Sequence, residues 1–302
     1  MPIREILRRT LVATSIALAA GCSASTARKA VSDQASAHNV PEWMHGVWSR
    51  EWIERRGARS SPFIVRYFQT PTVFGDVRLP VDRPAFQRAA SFADLSDADL
   101  MILARQRGFV GVTTADGDRA TWHHEIDFQP PDTSADIGRI EHQGPGRMFE
   151  HALDGSYTEF WWSLTSGDQR FLVVRVKRAD RLERVLLVVG DQFYYARNRA
   201  RDLAPAENLE QLIQSAHATR EQVIRFLDCE LSVGQVRGGA TPWQIQFSTL
   251  PWRQGQHLEF VDRIGRDLQG GLAPRSEPGE QWDVPVNTLS LQALDDLFGQ
   301  SR

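Results

Sequence analysis

The sequence predicts a mainly β protein whose strands close into one or two antiparallel β-barrels, with two or three short helices. Three observations predict this class. Short segments alternate between apolar and polar residues, as half-buried strands do. Glycine, proline and aspartate turn signals separate these segments at roughly the 8–12-residue spacing typical of sandwiches and barrels. The segments also follow one another without the intervening helices that a parallel sheet requires.

The opening strands mix apolar alternation with charged residues more densely than the rest of the chain. Strands are predicted here at residues 45–56, 63–70 and 73–79. On the first, strict alternation places Trp48, Arg50 and Trp52 on one face. On the third, Asp76 and Arg78 share a face. This region is therefore predicted to open a barrel, and its charged residues face either a cavity or water.

A helix is predicted at residues 96–107, because Ser96 is a good N-cap and Gly108 can end the helix. Further strands are predicted at residues 109–114, 120–128, 137–142, 148–153, 157–164, 171–177, 184–189 and 193–197. Beyond them we predict a helix at 206–218, extended segments at 226–236, 243–248 and 258–261, a loop at 268–280 and a terminal helix at 289–298.

The N-terminus resembles a bacterial lipoprotein signal. Three arginines precede residue 10, and an apolar run at 11–20 is too short to span a bilayer, which needs roughly 20 residues. The run ends in Leu-Ala-Ala-Gly before Cys22, which resembles a lipobox. The resemblance implies cleavage before Cys22, lipidation of its sulfur by palmitate-type chains, and, because Ser23 follows, the periplasmic face of the outer membrane. An ordinary cleaved signal with an incidental cysteine is the alternative.

The predicted organisation follows from these segments. Residues 1–21 form the signal peptide, 22–40 a flexible polar tether, 41–285 the barrel region with a possible division near 166, and 286–302 a C-terminal helix and tail. Only Cys22 and Cys229 are cysteines, so a lipidated Cys22 leaves no partner for a disulfide within the chain. The fold must then rest on its apolar core, in which Cys229 is expected as a buried residue.

Composition and motifs exclude several classes of function. The formal net charge is −3, which gives no basic face for nucleic acid. Gly-rich phosphate loops, dinucleotide fingerprints, His-Glu-x-x-His and Gly-x-Ser-x-Gly patterns are all absent from the sequence. The run His123-His124-Glu125-x-Asp127 carries ligand-type residues, but adjacent strand residues point to opposite faces. We therefore predict no metal and no cofactor.

Aromatic and charged residues alternate on several strands, as the lining of a ligand cavity would. The predicted ligand-binding residues are Trp48, Arg50, Trp52, Arg66, Trp122 and Tyr195. The expected ligand is a small hydrophobic or amphipathic molecule, and the membrane is contacted only through the N-terminal lipid. Two structural explanations stay open: the charges form a solvated outer face or buried ion-pair networks.

Two other functional classes remain compatible with the sequence. An isomerase or hydrolase would use His124 as a general acid or base with a carboxylate, drawn from Glu125, Asp127 or Glu159. An envelope scaffold with a packed interior, binding a protein partner, is the third class. The sequence alone does not provide the geometry that separates them.

The opening strands also resemble a known family. Gly46-Val47-Trp48 resembles the Gly-x-Trp start of lipocalins, in which the tryptophan plugs the closed end of the barrel. Phe68-Gln69-Thr70, followed by the segment Phe-Gly-Asp-Val-Arg-Leu-Pro at 74–80, resembles the Hri-type lipocalin-like proteins, which contain two non-standard barrels. The resemblance covers about a quarter of the chain. It implies a lipocalin-like β-barrel fold and small-ligand binding, and it carries no catalytic residues.

Overall fold

The computed structural model describes residues 40–131, 134–165, 169–237, 239–267 and 271–298. The predicted signal peptide, Cys22, almost all of the predicted tether and the tail after residue 298 lie outside these ranges. No helix in the described part of the chain is long and apolar enough to cross a membrane.

An eight-stranded antiparallel barrel occupies the first half of the described chain. The strands of its sheet are β1 (Gly46–Arg55), β2 (Ala58–Ser60), β3 (Phe63–Gln69), β4 (Val73–Pro80), β5 (Arg107–Asp116), β6 (Arg119–Asp127), β7 (Asp136–His142), β8 (Arg147–Ala152) and β9 (Thr158–Ser163). Strand β1 pairs with β3, each later strand pairs with the next, and β9 pairs back with β1 to close the ring. The short β2 forms a hairpin on β1 outside the ring. The predicted fold class is confirmed.

A six-stranded antiparallel sheet follows the barrel. Its strands are β10 (Phe171–Arg178), β11 (Arg181–Val189), β12 (Gln192–Arg197), β13 (Glu230–Gln235), β14 (Gln244–Ser248) and β17 (Glu280–Asn287). They are ordered β14-β13-β12-β11-β10-β17, while β15 (Ile264–Arg266) and β16 (Leu272–Pro274) pair separately. Within the described residues the chain thus combines one closed barrel with one six-stranded sheet.

Four short α-helices lie between and after these strands. They are α1 (Asp97–Ala104), α2 (Leu209–Ser215), α3 (Arg220–Leu227) and α4 (Leu291–Phe298). Ser96 caps α1 as predicted, accepting a hydrogen bond from the Asp99 backbone N–H. Helix α3 occupies the start of the segment predicted to be extended from residue 226. Thr219 caps it in a reciprocal capping box with Gln222, a helix-start signal that the sequence prediction did not use.

The barrel packs directly on one face of the six-stranded sheet. Outward-facing barrel residues such as Val77 and Val110 share a core with Val185 and Leu187 of that sheet. The barrel wall and the sheet can approach closely at Gly75 because glycine has no side chain; a Cβ at Gly75 would lie 2.6 Å from the ring of Tyr194. The Tyr194 hydroxyl donates to the backbone carbonyl of Phe109 at 3.2 Å. The barrel therefore contacts the sheet through its outer face, and the side chains of the barrel interior do not take part in this contact.

Candidate functional site

One end of the barrel interior is filled by apolar side chains. Trp48 is fully buried there, and its indole N–H donates to the backbone carbonyl of Met44, 2.8 Å away, in the short 3₁₀ turn Glu42–Met44 that precedes β1. Ile140, Met148 and Trp161 belong to the same buried cluster. Trp48 and the turn before β1 lie at one end of the barrel, whereas Trp161 pairs with Arg50 and Ile140 pairs with Glu150, so the apolar cluster reaches into the charged part of the interior.

A chain of neutral hydrogen bonds also lies inside the barrel, next to this apolar cluster. The Trp122 indole N–H donates to the Tyr67 hydroxyl at 3.0 Å, and Tyr67 in turn donates to the side-chain carbonyl of Gln69. The Thr113 hydroxyl donates to the same Gln69 oxygen at 2.9 Å. Burial raises the pKa of Tyr67, so its hydroxyl stays neutral. These side chains therefore satisfy one another's hydrogen-bonding groups inside the barrel.

The barrel interior also contains two ion pairs, which form a charged layer of side chains. Arg50 and Glu159 form an ion pair whose side chains are only 4% and 3% exposed. Arg78 donates from Nε to Asp76 Oδ1 at 2.8 Å. Burial lowers the pKa of Arg50, an effect that Glu159 opposes; burial raises the pKa of Asp76, an effect that Arg78 opposes. Two arginines therefore balance two carboxylates inside the barrel.

Glu150 adds a fifth ionisable group to this layer. The Tyr157 hydroxyl donates to Glu150 Oε1 at 2.9 Å. Burial raises the pKa of Glu150 to about 8, and the negative charges of Glu159 and Asp136 add to the effect. At pH 7 Glu150 is therefore mostly protonated and neutral.

Three buried polar atoms in this interior have no hydrogen-bond partner among the described residues: Asp76 Oδ2, Glu159 Oε2 and Trp161 Nε1. Unpaired buried groups of this kind are rare because each costs free energy. Asp76 and Trp161 line a common cavity of about 20 Å³ with Arg78, Trp122, Asp136 and Glu150. A volume of this size holds about one water or one small polar group.

A much larger groove opens at the charged end of the barrel. Its volume is about 1320 Å³, and it shares Trp122 and Asp136 with the small cavity. Its apolar lining comes from Ile126, Ile137, Leu153, Leu182 and Leu203, and its charged lining includes Arg107, His124, Asp127, Lys177 and Arg199. We name this region the mouth groove. It brings residues of the barrel and of the six-stranded sheet to one concave surface.

His124 lies in the wall of the mouth groove, clamped between two aspartates. Its Nδ1 is 2.8 Å from Asp127 Oδ2 and its Nε2 is 3.1 Å from Asp136 Oδ2. Its ring stacks on Phe109 with centroids 3.9 Å apart. Partial burial lowers the pKa of His124, but the hydrogen bonds and charges of the aspartates outweigh it and raise the pKa to about 9. At neutral pH the ring is a cation that donates from both nitrogens.

The predicted catalytic residues do not assemble as expected. His124 bonds Asp127, one of its predicted partners, but Glu125 pairs with Arg175 of β10 and Glu159 pairs with Arg50. A doubly hydrogen-bonded imidazolium has no free lone pair with which to accept a proton. The geometry therefore gives His124 a structural and electrostatic role.

A β-bulge explains why His124 and Asp127 meet. Strand alternation predicted them on opposite faces, but Val110 pairs with Ile126 and Gly111 pairs with His124, which leaves Glu125 as an extra residue. Strict alternation would also place His124 and Ile126 on one face, and the bulge separates them. Gly111 permits the bulge, because a Cβ there would lie 1.8 Å from the carbonyl oxygen of His123.

Of the predicted ligand-binding residues, Trp48, Arg50 and Trp122 lie inside the barrel. Trp52 lies outside, because a bulge between Arg50 and Trp52 reverses the alternation of β1; its ring stacks on Phe160. The structure therefore does not place Trp52 with the other predicted ligand-binding residues inside the barrel.

Arg66 and Tyr195 also lie outside the barrel. Arg66 alternates with the inward-facing Val65 and donates to the Ser49 hydroxyl at 2.8 Å on the outer face. Tyr195 belongs to the core on the far side of the six-stranded sheet, with its ring 5.1 Å from that of Phe260. Both were predicted to bind ligand, and the structure places neither inside the barrel.

The interior contains residues that the sequence reasoning did not assign to the ligand site: Glu150, Tyr157, Asp136 and Trp161. The available signal was alternation, since Glu150 follows Met148 by two residues and Glu159 precedes Trp161 by two. Within the described part of the chain, no three His, Cys, Asp or Glu residues are placed to hold a metal ion together.

Comparisons with known proteins add little to this geometry. No protein-family model matches the chain, and no curated protein matches it. A solved structure of the uncharacterized protein YLR301w from Saccharomyces cerevisiae is similar, with 12% identity and a TM-score of 0.48, covering 80% of this chain and 98% of that one. A likeness at this level has no bearing on function.

Proposed function

We propose that this protein is a lipid-anchored, lipocalin-like protein of the cell envelope that binds a small, partly apolar molecule at the open end of its barrel. The observation that carries the proposal is the mouth groove, whose mixed apolar and charged wall leads to buried polar atoms without partners. Ligand sites combine an apolar surface with a few convergent polar groups in this way.

The volumes of the two cavities support binding in the mouth groove. The cavity inside the barrel, at about 20 Å³, has no room for an organic molecule. The mouth groove, at about 1320 Å³, exceeds the 300–1000 Å³ that is roughly typical of small-molecule sites. We therefore place the body of the ligand in the groove and at most one small polar group in the cavity.

Binding is favoured over catalysis by the state of the ionisable groups. His124 is held as a cation by Asp127 and Asp136, and the interior arginines are each paired with a carboxylate. Such an arrangement orients a ligand by fixed charges, and both nitrogens of His124 are engaged, so His124 is not free to act as a base. An isomerase or hydrolase mechanism through His124 would first have to break one of these two hydrogen bonds.

The groove is tested by a matched pair of variants. Leu153 lines the groove and is 51% exposed, whereas Leu291 begins α4, away from the groove, and is 59% exposed. We expect Leu153→Glu to weaken binding of the neutral fluorescent probe N-phenyl-1-naphthylamine about tenfold, because a charge replaces apolar contact worth about 1.4 kcal/mol. Leu291→Glu is expected to leave probe affinity unchanged.

Fluorescence titration at pH 7 measures both dissociation constants. Because both leucines are exposed, both variants should fold, which far-ultraviolet circular dichroism checks. Equal probe affinity in Leu153→Glu, Leu291→Glu and the wild type would place the bound probe elsewhere and would count against the groove as the site.

The anchor is tested separately from the groove. If Cys22 is lipidated, the full-length chain expressed in a bacterial host with an outer membrane should incorporate labelled palmitate, and Cys22→Ala should not. Cys229 is fully buried and serves as the internal control, since Cys229→Ala should still be labelled. Globomycin should cause the unprocessed form to accumulate. A mature wild-type protein without label would contradict the anchor and leave the ligand proposal unaffected.

A further inference from the structure

The small cavity inside the barrel specifies the chemistry of one ligand group. We infer that the ligand of the proposed function presents a neutral hydroxyl group to this cavity, where the hydroxyl accepts a hydrogen bond from Trp161 Nε1 and donates one to Asp76 Oδ2. The inference rests on the proposed function, because it names the group that the mouth groove delivers.

The two unpartnered atoms call for a group that both donates and accepts. Trp161 Nε1 is a donor without an acceptor, and Asp76 Oδ2 is an acceptor without a donor. Both side chains are at least 98% buried and line the same cavity. An ammonium group could satisfy only the aspartate, and a carboxylate could satisfy only the tryptophan. A hydroxyl group satisfies both at once.

The charge balance of the interior favours a neutral group over a charged one. Arg50 and Arg78 are already paired with Glu159 and Asp76. Glu150, with its pKa raised to about 8, is mostly neutral at pH 7. An added anion would stand without a counter-ion in a buried site, which is costly, and an added cation would compete with His124 for Asp136. A neutral hydroxyl adds no charge.

Size and route agree with this assignment. A volume of about 20 Å³ accommodates a hydroxyl oxygen but no carbon chain. Trp122 and Asp136 line both the cavity and the mouth groove, so these two side chains lie at the boundary between the two spaces. The ligand's apolar body then remains in the groove while its hydroxyl passes this boundary.

The test compares three eight-carbon ligands as competitors of N-phenyl-1-naphthylamine at pH 7: 1-octanol, octanoate and octylamine. We expect 1-octanol to bind about tenfold or more tightly than either charged analogue, since a buried polar group left unpaired costs about 1–3 kcal/mol. In Trp161→Phe, which removes only the indole N–H and part of the ring, the preference for 1-octanol should fall to within about threefold.

A second measurement needs no variant. Addition of 1-octanol to the ¹⁵N-labelled wild-type protein should shift the Trp161 indole N–H resonance downfield, as formation of a hydrogen bond requires, while the indole N–H of Trp48, already bonded to Met44, should stay in place. This measurement decides the matter if Trp161→Phe does not fold.

The outcomes separate this inference from the proposed function. If none of the three ligands displaces the probe, the groove is not a site for such molecules and the proposed function fails. If octanoate or octylamine displaces the probe as well as 1-octanol, or if the Trp161 resonance does not move, the cavity holds only water and the hydroxyl inference is overturned while the groove stands.

Discussion

Replacing Arg50 by methionine is expected to lower the free energy of unfolding by about 3–5 kcal/mol. The substitution leaves the Glu159 carboxylate buried without its partner, and Glu159 Oε2 already lacks one. A buried charge without compensation is among the largest single-residue costs known in proteins. Urea denaturation at pH 7, followed by tryptophan fluorescence, measures the change.

Two matched variants isolate the buried pair. The double variant Arg50→Met with Glu159→Met should recover at least about half of the loss, because it removes both charges together. Arg59→Met breaks the exposed Arg59–Glu54 pair on the neighbouring hairpin and should cost less than about 1 kcal/mol. If Arg50→Met costs no more than Arg59→Met, the charged interior layer does not exist as described.

Replacing Glu150 by glutamine is expected to remove a pH dependence of about 3 kcal/mol between pH 5 and pH 8. The pKa of Glu150 rises from an ordinary 4.5 to about 8 in the folded protein. Between these values the folded state binds a proton that the unfolded state has released. The stabilisation is therefore complete below pH 4.5 and is lost as the pH rises through 8.

Comparing the pH profiles of the free energy of unfolding for the wild type and Glu150→Gln gives the contribution of Glu150 directly. Wild-type stability should fall relative to Glu150→Gln as the pH is raised from 5 to 8, since other titrating groups are common to both. The glutamine carbonyl can still accept the hydrogen bond from Tyr157. Glu51→Gln on the exposed part of β1 serves as the control, and parallel pH profiles for wild type and Glu150→Gln would contradict the buried placement of Glu150.

The barrel could be predicted from the sequence because its strands alternate clearly and its turns are short. The face of each side chain could be predicted only up to the first irregularity. On β1, Trp48 and Arg50 face inward as alternation required, but the bulge after Arg50 turns Trp52 outward. A one-residue slip reverses every later side chain, and a bulge does so without a reliable signal in the sequence.

The position of His124 shows the same limit of strand alternation, and Gly111 is a clue in the sequence to the bulge. Strict alternation separated it from Asp127, yet the bulge opposite Gly111 unites them. A glycine within a strand often marks a bulge or a close backbone approach, and the contact that a Cβ at Gly111 would make with His123 shows that it does so here. Reading Gly111 as a bulge signal would have predicted the histidine–aspartate pair.

Five of the six strands of the second sheet overlap predicted extended segments, but the orientation of their side chains could not be predicted. Both of its faces are buried, so the alternation of Tyr194 and Tyr195 could not reveal which of them faces the barrel. Its edge strand β17 contains Pro285, which lies where the pairing with β10 is irregular. No strand was predicted at 280–287; a proline within a run is compatible with an edge strand such as β17 but argues against a central one.

The most direct test of ligand placement is a crystal structure of the purified protein soaked with 1-octanol. The crystal form must leave the mouth groove open to solvent. The account predicts the alkyl chain in the groove and the hydroxyl oxygen within about 3 Å of both Trp161 Nε1 and Asp76 Oδ2. An empty groove together with a lone water between Trp161 and Asp76 would contradict it.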